Sequence, residues 1–379
     1  MSSVTPLAAL FEAFAREHAY EALYAQMARW VAERPDWMAL LDGAPPTQRR
    51  PTLWLAAVQD QLLACDAALQ AERPALAHYF ASVGGARPAD DAGLQPALES
   101  FIRDHEKALR ATMATQTTQT NEVGRSAVLW PALSDIAQRH GGRPIALFDF
   151  GCSAGLNLSV DAFHIDYLQR GRPDAVATAG PANPEATRLS GLLLGSVPTL
   201  RPWRIDRRMG CDPAPVRLDD ARALRWLRAC LWPGEPARAL RFDQAVRQAR
   251  LAQHPVVPAE DGLAVLDDWL RDLPSGLTPV LFNSWVLSYF TDAELVRHTA
   301  RVHELIHRHG LVWLSADDDH RLRATTGLQP PTLLGPIEPG TPTWWSVTER
   351  MGGAHGQPAV CSRLLARSHP HGSWLDWLA

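Results

Sequence analysis

A glycine-rich turn that directly follows a short apolar segment constrains the fold of this chain most strongly. The segment at 144–150 reads Pro-Ile-Ala-Leu-Phe-Asp-Phe, and the chain continues as Gly-Cys-Ser-Ala-Gly at 151–155. A short apolar run closed by such a turn is typical of a buried strand, and residues 155–160 then read as the start of a helix. A strand, a tight turn and a helix in this order predict one unit of an α/β sheet.

The hydrophobic pattern of the chain changes near this turn. Before residue 144, apolar residues recur at the spacing of amphipathic helices, and pairs of Pro or Gly interrupt them. After it, the apolar runs 279–283 and 311–315 flank a helical segment that begins with a capping arrangement, Thr291 or Asp292 as the cap followed by Glu294, and that ends at Gly310. A strand, a helix and a strand in this order predict parallel pairing with a right-handed crossover.

These patterns predict two regions. Residues 1–140 are expected to be all helical, and residues 141–379 to form a doubly wound, mostly parallel, Rossmann-like α/β domain. Two strand candidates, around 344–348 and 359–366, are close enough in the chain to form a C-terminal antiparallel hairpin. Residues 170–204 are rich in Pro and Gly and have little periodicity, so we interpret them as an insertion.

Charge, hydropathy and cysteine usage exclude several classes of protein. A formal net charge of −4 offers no broad attraction for nucleic acid or for an anionic membrane, so neither partner is expected. No run of about 18 apolar residues predicts a transmembrane helix, and the N-terminus does not read as a signal peptide. The five scattered cysteines form no C-x-x-C pair, which favours a reducing cytoplasm over a disulfide framework or a zinc site. The oligomeric state is left open.

The turn fits two kinds of chemistry. In a nucleotide-type site, small residues let the backbone approach the ligand, and N–H groups at the helix start act as donors. In a hydrolase, G-x-S-x-G places a nucleophilic serine on a strained elbow, and residues 151–155 satisfy that pattern with Ser153. Because the region before the turn reads as helical, and not as several strands, the nucleotide-type site is favoured. The serine nucleophile and a purely structural turn remain as alternatives.

Several unusual segments together resemble one bacterial family. They are Asn-Glu-Val-Gly-Arg-Ser at 121–126, the turn itself, Cys-Asp-Pro at 211–213 and the ending His-Pro-His-Gly-Ser-Trp-Leu at 369–375. On these motifs the chain resembles the DUF2332 family, whose function is unknown, through most of its length. The α/β half of that family is similar to class I S-adenosylmethionine-dependent methyltransferases. The resemblance implies S-adenosylmethionine as cofactor, although Ser153 stands where their G-x-G-x-G pattern has Gly.

The expected cofactor contacts lie in three places. The turn would supply five of them, namely Asp149, Gly151, Ser153, Gly155 and Asn157. A methyltransferase-type fold usually ends its second strand with a carboxylate, which accepts hydrogen bonds from the ribose diol. Asp212 fits this role, with Asp166 as the alternative. After the third strand, Asp261 or Glu260 would accept the adenine amino group, or would only cap the following helix.

Five further residues are candidates for catalysis or binding. Asn283 follows the fourth strand, where it would orient an attacking amine or hydroxyl or else cap the next turn. His369 and His371, one residue apart, would point into one cavity and offer a general base near neutral pH. Asn121 and Arg125, which lie one helix before the first strand, would cover the cofactor carboxylate or hold substrate. The alternative for Arg125 is an ordinary surface ion pair.

The acidic run Asp-Asp-Asp-His at 317–320 reads as a solvated loop after a strand, so no metal site is predicted. The sequence thus predicts an S-adenosylmethionine-dependent methyltransferase that acts on a small molecule. One alternative is a non-catalytic binding protein that keeps the methyltransferase-type fold. The other is a serine hydrolase that uses Ser153.

Overall fold

Most of the strands and helices that the spacing of apolar residues predicts are present in the structure. The computed structural model describes residues 6–67, 73–119, 121–234, 236–331, 342–352 and 358–379. The helices are α1 (Leu7–Glu17), α2 (Ala22–Glu33), α3 (Pro35–Met38), α4 (Pro51–Ala67), α5 (Leu94–Thr115), α6 (Ser126–Arg139), α7 (Ala221–Ala229), α8 (Pro236–Ala252), α9 (Gly262–Arg271), α10 (Asp292–His309) and α11 (Asp319–Thr326). The strands are β1 (Ile145–Phe150), β2 (His164–Gln169), β3 (Ala177–Ala179), β4 (Arg188–Leu193), β5 (Ile205–Asp212), β6 (Val256–Pro258), β7 (Thr278–Ser284), β8 (Val312–Asp317), β9 (Thr343–Gly352), β10 (Pro358–Ser368) and β11 (Trp374–Trp377).

The chain divides into two compact units by its internal contacts. One unit comprises Met1–Thr120, Asp219–Leu240 and Glu338–Gly340. The other comprises Asn121–Leu218, Arg241–Ile337 and Thr341–Ala379. The segment at 121–140, which we grouped with the helical region, therefore belongs to the unit that holds the sheet. No helix among the described residues is both long enough and apolar enough to cross a membrane.

The helical unit packs its own core, and α7 is part of it. Gln59 of α4 lies in this core at 1% exposure. Its Oε1 accepts a 2.7 Å hydrogen bond from the Tyr24 hydroxyl, and its Nε2 donates a 2.8 Å bond to the Leu231 carbonyl. The Trp226 indole on α7 donates a 2.8 Å bond to the Thr117 carbonyl. These buried hydrogen bonds join the residues around α7 to the rest of the helical unit.

The second unit is built on one eleven-stranded sheet with the order β3-β2-β4-β11-β10-β9-β8-β7-β1-β5-β6. Strands β6, β5, β1, β7 and β8 pair in parallel with one another, in this order. Strand β9 runs antiparallel to both β8 and β10, so the predicted C-terminal hairpin is confirmed. The predicted α/β class with a large, mostly parallel sheet is confirmed as well.

Helices pack on both faces of the sheet. On one face, the Phe148 ring of β1 packs against Trp269 of α9, with 5.4 Å between ring centroids. On the opposite face, Arg363 of β10 forms an ion pair with Asp135 of α6. The central strands β1, β7 and β8 are accordingly buried, and most of their residues are apolar.

Residues 170–204 add strands to the edge of the sheet. Strand β4 pairs in parallel with β2 and with β11, and β3 pairs antiparallel with β2. Gly191 on β4 allows close packing, because a Cβ there would lie 2.9 Å from Leu375 and 3.3 Å from Ala127. The predicted insertion thus extends the sheet beyond β11.

Two helix signals differ in their outcome. The capping box predicted for α10 is confirmed, because the Thr291 and Glu294 side chains each bond the other's backbone N–H, and Gly310 ends the helix at a left-handed φ of 66°. The helix predicted from Gly155 is wrong. Residues Leu156–Ala162 form a 3₁₀ segment with a kink at Ser159, because β2 begins only two residues later and leaves no room for a full α-helix.

Candidate functional site

The backbone is strained at the turn after β1 and again at the turn after its neighbour β7. Gly151 and Gly155 adopt left-handed φ values of 73° and 68°, and a Cβ on Gly151 would collide with the Val286 side chain. Ser153 at φ 52° and Trp285 at φ 60° adopt the same region without being glycine. Such conformations cost about 1–3 kcal/mol each and cluster at functional sites. They mark the adjacent carboxyl ends of β1 and β7 as the candidate site.

Ser153 connects this turn to β5 and to the segment before α6. Its backbone N–H donates a 2.9 Å hydrogen bond to Oδ2 of Asp212, the last residue of β5. Its Oγ accepts a 2.9 Å bond from Nδ2 of Asn121. The Ala214 N–H donates to Oδ1 of Asp212 at 2.9 Å. The structure therefore brings together three residues that the sequence predicted for the cofactor site.

The alternative carboxylate, Asp166, lies far from this turn. It is on β2, which six strands separate from β1 in the sheet order. There its Oδ1 contacts Nε2 of His164 at 3.1 Å, and its Oδ2 lies 3.9 Å from the Arg188 guanidinium. The role of a ribose-binding acid is wrong for Asp166, because β5, and not β2, is the neighbour of β1.

Asp149 on β1 is a buried carboxyl group that lacks one partner. It is 3% exposed, and its Oδ2 has no hydrogen-bond partner among the described residues. Burial raises the pKa of Asp149 to about 8, and the nearby Asp212 carboxylate adds to this effect. Oδ1 of Asn157, just beyond the turn, is a second buried acceptor without a partner in this part of the chain. The turn therefore offers two acceptors to a donor or a cation.

Asp261 follows β6 and begins α9. Strand β6 pairs with the end of β5, so Asp261 lies after the next strand in the sheet. Its Oδ1 accepts a 3.0 Å bond from the Ala264 N–H, and both its oxygens accept bonds of 2.9 and 2.8 Å from Arg301. The hydrogen bonds from Arg301 hold the pKa of Asp261 below its usual value. Its capping role is confirmed, and its role toward adenine stays a prediction.

Arg125 joins three elements near the end of β7. It is 4% exposed, and its Nε donates a 2.8 Å hydrogen bond to the Pro370 carbonyl. Its Nη1 donates a 3.0 Å bond to the Ser284 hydroxyl. Glu122, which is also buried, accepts a 2.9 Å bond from the Gly124 N–H. An ordinary surface ion pair is therefore the wrong interpretation of Arg125.

The loop at 369–372 packs closely on this segment. A Cβ on Gly124 would collide with the His371 carbonyl, and a Cβ on Gly372 would collide with the Gly124 carbonyl. The rings of His369 and His371 lie 5.0 Å apart between centroids, and Nδ1 of His369 accepts a 3.1 Å bond from the His371 N–H. The two rings are thus neighbours, and both the shared cavity and the role as a base stay predictions.

Asn283 is the centre of a buried polar network. It is fully buried, and its Oδ1 accepts a 2.6 Å hydrogen bond from the Trp313 indole. Its Nδ2 donates to Oδ2 of Asp317 at 2.8 Å and to the Ser315 hydroxyl at 3.0 Å. Both ends of the amide are engaged inside the protein. These contacts make Asn283 a residue that positions Asp317, and its direct contact with an acceptor stays a prediction.

Asp317 is the site residue that the sequence reasoning missed. It is the last residue of β8 and only 2% exposed, so the interpretation of 317–320 as a solvated loop is wrong at this position. Burial raises its pKa to about 7. Asp318 accepts a 2.9 Å bond from the Arg321 N–H and caps α11. The signal was the polar residue at every second position, Ser315 and Asp317, on a strand with buried neighbours.

Comparison with known proteins assigns the chain to a family. A search of the curated proteins finds none that matches this chain. The family model described as "Uncharacterized protein conserved in bacteria (DUF2332)" matches residues 8–377. That range covers nearly the whole chain and confirms the resemblance that its motifs indicate. This chain belongs to the DUF2332 family.

Proposed function

We propose that this protein binds S-adenosylmethionine and transfers its methyl group to a small molecule. The observation that carries the proposal is the strand order β6-β5-β1-β7-β8 with the glycine-rich turn after the central strand β1. After passing through β2, β3 and β4 at the far edge of the sheet, the chain forms β5 and β6 on one side of β1 and then β7 and β8 on the other side. Open α/β sheets bind ligands at the carboxyl ends of the strands where the order reverses in this way.

The likeness to a Rossmann-like methyltransferase is an analogy of fold, so function must be argued from the residues at that point. Asp212 would accept hydrogen bonds from the ribose hydroxyls. Although each of its oxygens already accepts one backbone N–H bond, a carboxylate oxygen has a second lone pair to offer. The left-handed turn at Ser153 lies directly beside it, because the Ser153 N–H donates to this carboxylate.

The two buried acceptors without partners suit the charge of the same cofactor. S-adenosylmethionine carries an ammonium group and a sulfonium group, and both favour a nearby carboxylate. Oδ2 of Asp149 and Oδ1 of Asn157 would receive the ammonium, and its positive charge would favour the ionised form of Asp149, whose pKa burial raises to about 8 in the free protein. The residues of the site therefore fit this cofactor.

The protein's part in the reaction is binding and orientation. The cofactor supplies, when bound, a methyl group on a positively charged sulfur. Fixed side chains such as Arg125 and Asp317 would align the acceptor with that methyl group, and alignment of this kind provides much of the rate enhancement of group transfer.

A thermal-shift assay on ligand-free protein tests the proposal. Mass spectrometry of the denatured protein first shows whether cofactor has copurified. A ligand at 100 times its Kd stabilises the folded state by roughly 2.7 kcal/mol, so millimolar S-adenosylmethionine or S-adenosylhomocysteine should raise Tm clearly. Asp166→Asn, on the distant strand β2, is the matched control and should keep the shift. No shift with either compound contradicts the proposal.

The non-catalytic alternative uses the same site and predicts binding without turnover. It draws support from the missing middle glycine at Ser153 and from the internal engagement of the Asn283 amide. Methyl-labelled S-adenosylmethionine incubated with the protein and a bacterial extract separates the two functions. Label transferred to a small molecule rules out the non-catalytic alternative, and tight binding without any transfer favours it.

A further inference from the structure

Asp317 and Trp344 lie directly opposite each other on the antiparallel strands β8 and β9. Residues so paired project from the same face, with Cβ atoms about 4.5–5.5 Å apart. Both are buried, at 2% and 4% exposure. Oδ1 of Asp317 and Nε1 of Trp344 each have no hydrogen-bond partner in the part of the chain that the structure describes. One acceptor and one donor, each without a partner among the described residues, therefore project from the same face of the sheet.

Hydrogen bonds hold the Asp317 carboxyl group so that its Oδ1 is the oxygen without a partner among the described residues. Its Oδ2 accepts a 2.8 Å hydrogen bond from Asn283 and a 2.9 Å bond from the Ser315 hydroxyl. Trp313 in turn fixes the Asn283 amide. Buried polar groups are nearly always paired, and a native structure that leaves two of them open side by side calls for an occupant. That occupant must donate one hydrogen bond to Asp317 and accept one from Trp344.

This position belongs to the same edge of the sheet as the candidate cofactor turn. Ser284 ends β7, where it lies beside Ala316 of β8, and its hydroxyl accepts the hydrogen bond from Arg125. The positive charge of Arg125 acts on the Asp317 carboxyl. An occupant of the Asp317–Trp344 position would thus lie at the carboxyl end of β8, which β7 separates from β1.

We propose that Oδ1 of Asp317 and the indole N–H of Trp344 bind the nucleophilic atom of the methyl acceptor, and that this atom is a hydroxyl oxygen. The inference rests on the proposed function. A hydroxyl has one donor and two lone pairs. It donates to Asp317, accepts from Trp344 with one lone pair and keeps the other for attack. A neutral amine has a single lone pair, so the bond from Trp344 would occupy the electrons that it needs.

The proton and electron balance of the step is simple. The hydroxyl oxygen forms a bond to the methyl carbon of S-adenosylmethionine, and the carbon–sulfur bond breaks with its electron pair left on sulfur. The hydroxyl proton passes to Oδ1 of Asp317. The products are a methyl ether, S-adenosylhomocysteine and a protonated Asp317, which later releases the proton to solvent.

The charges around Asp317 suit a base that works near neutral pH. Burial raises the pKa of Asp317 to about 7, the Asp318 carboxylate raises it further, and Arg125 and the hydrogen bonds from Ser315 and Asn283 oppose the rise. On β10, the residue opposite Trp344 is Arg367, whose charge is paired with Asp376. A base with a pKa near the working pH is efficient in proton transfer.

Indole resonances test the geometry without any turnover. In protein labelled with ¹⁵N at tryptophan, Trp344→Phe identifies the Trp344 Nε1–H signal. We expect this signal to titrate near pH 7 and to lose that titration in Asp317→Asn. The internal control is Trp345, which projects from the opposite face and whose Nε1 donates to Ser368 at 2.9 Å, so its signal should not titrate. A Trp344 signal that does not shift with pH, or that still titrates in Asp317→Asn, contradicts the proposed proximity of the Trp344 indole and the Asp317 carboxyl group.

Small probes test the occupant. Methanol offers a hydroxyl, and acetonitrile is of similar size but offers no donor. We expect methanol to shift the Trp344 indole signal in the wild type, to do so much less in Asp317→Asn, and acetonitrile to leave it in place. Equal shifts with both solvents, or none with methanol, contradict a hydroxyl position.

Turnover tests the reaction, and cofactor binding is measured separately. With ¹³C-methyl S-adenosylmethionine and a bacterial extract, we expect the label in an O-methyl product, because ¹³C shifts separate O-methyl from N-methyl groups. Asp317→Asn should lower kcat by about 10²–10⁴-fold, the usual effect of losing a general base, with an unchanged cofactor Kd. An N-methyl product overturns this inference but leaves the proposed function intact. Wild-type protein that binds no cofactor overturns the proposed function, whatever the indole signals show.

Discussion

The backbone N–H of Ser153 donates its hydrogen bond to the carboxylate of Asp212 over 2.9 Å, which ties the turn after β1 to the end of β5. The same carboxylate accepts the Ala214 N–H through its other oxygen. Two backbone donors therefore fix the plane of the Asp212 carboxylate before any ligand arrives. Preorganisation of this kind lowers the entropy that binding must overcome.

The first prediction concerns Asp212. Replacement by Ala removes the acceptor for the ribose and frees the Ser153 turn. Hydrogen bonds to a charged group contribute about 1.5–3 kcal/mol, so Asp212→Ala should weaken S-adenosylmethionine binding by about 10–100-fold in calorimetry. Asp206→Ala, on the same strand and paired with Arg204 at 3.6 Å, is the control and should bind normally. Equal affinity in the two variants would place the adenosyl group elsewhere.

The second prediction separates the two interpretations of Ser153. The strained φ of 52° resembles a nucleophile elbow, but the bond that its Oγ accepts comes from the Asn121 amide, which is not a base. We expect no labelling of the wild type by a fluorophosphonate probe. Stoichiometric labelling that Ser153→Ala abolishes would establish a hydrolase site.

A bulky side chain at the same position tests the cofactor site. Ser153→Phe should abolish S-adenosylmethionine binding, because the ring would fill the space beside the turn. Ser153→Gly removes the steric penalty of the left-handed conformation and should keep binding. Far-UV circular dichroism checks that both variants fold. If Ser153→Phe folds and binds with wild-type affinity, the ligand does not contact this turn.

The sequence predicted the parts of the fold that local patterns determine. The apolar run of β1, the turn with Gly151 and Gly155 and the capping box at Thr291 are all encoded within a few residues. The strands β2, β3 and β4 escaped prediction because each is short and is stabilised by pairing with distant partners, such as β11. Pairing between strands so far apart in the chain cannot be deduced from the local spacing of apolar residues. The sequence also did not predict that α7 belongs to the helical unit, because long-range hydrogen bonds determine this assignment.

The sequence predicted the site residues that stand next to a turn. Site residues within the buried part of a strand were harder to predict. Asp212 and Ser153 stand out because glycines and turns surround them. Asp317 looked like one of three consecutive acids, and only its register with Ser315 on β8 shows that it points inward. Two of the three acids do behave as the run suggests, since Asp318 caps α11 and Asp319 forms an exposed pair with Arg323.

The third prediction tests the close packing of the loop at 369–372 on the segment before α6. Gly372 has a φ of 74°, and a Cβ on it would collide with the Gly124 carbonyl. Gly141 has a φ of 73° and open space around it. Both changes to Ala incur the penalty of a left-handed residue, about 1 kcal/mol. Only Gly372→Ala should lower the free energy of unfolding, measured in urea, by clearly more than this. The same variant should also weaken cofactor binding. Equal losses of unfolding free energy in the two variants would mean that the loop shifts to accommodate the added methyl group without further destabilisation.

The last prediction follows from the buried carboxyl of Asp149. Its folded-state pKa is raised to about 8, against 3.8 for the free group. Between these values the folded protein holds a proton that the unfolded chain has released. The free energy of unfolding therefore falls as the pH rises from about 4 to about 8. Below that range both states are protonated, and above it both are ionised, so the dependence is confined to the window.

Asp149→Asn removes this titration and keeps the shape of the side chain. The variant should match the wild type at pH 4, where both side chains are neutral, and exceed it increasingly up to pH 8. One pKa unit corresponds to about 1.4 kcal/mol, so the gain at pH 8 should exceed about 1 kcal/mol. Asp317 also titrates in the wild type, with a pKa raised to about 7, but its contribution cancels in the difference between wild type and variant. Urea unfolding at four pH values measures that difference, and a difference that does not change with pH would show that Asp149 is ionised with a partner throughout.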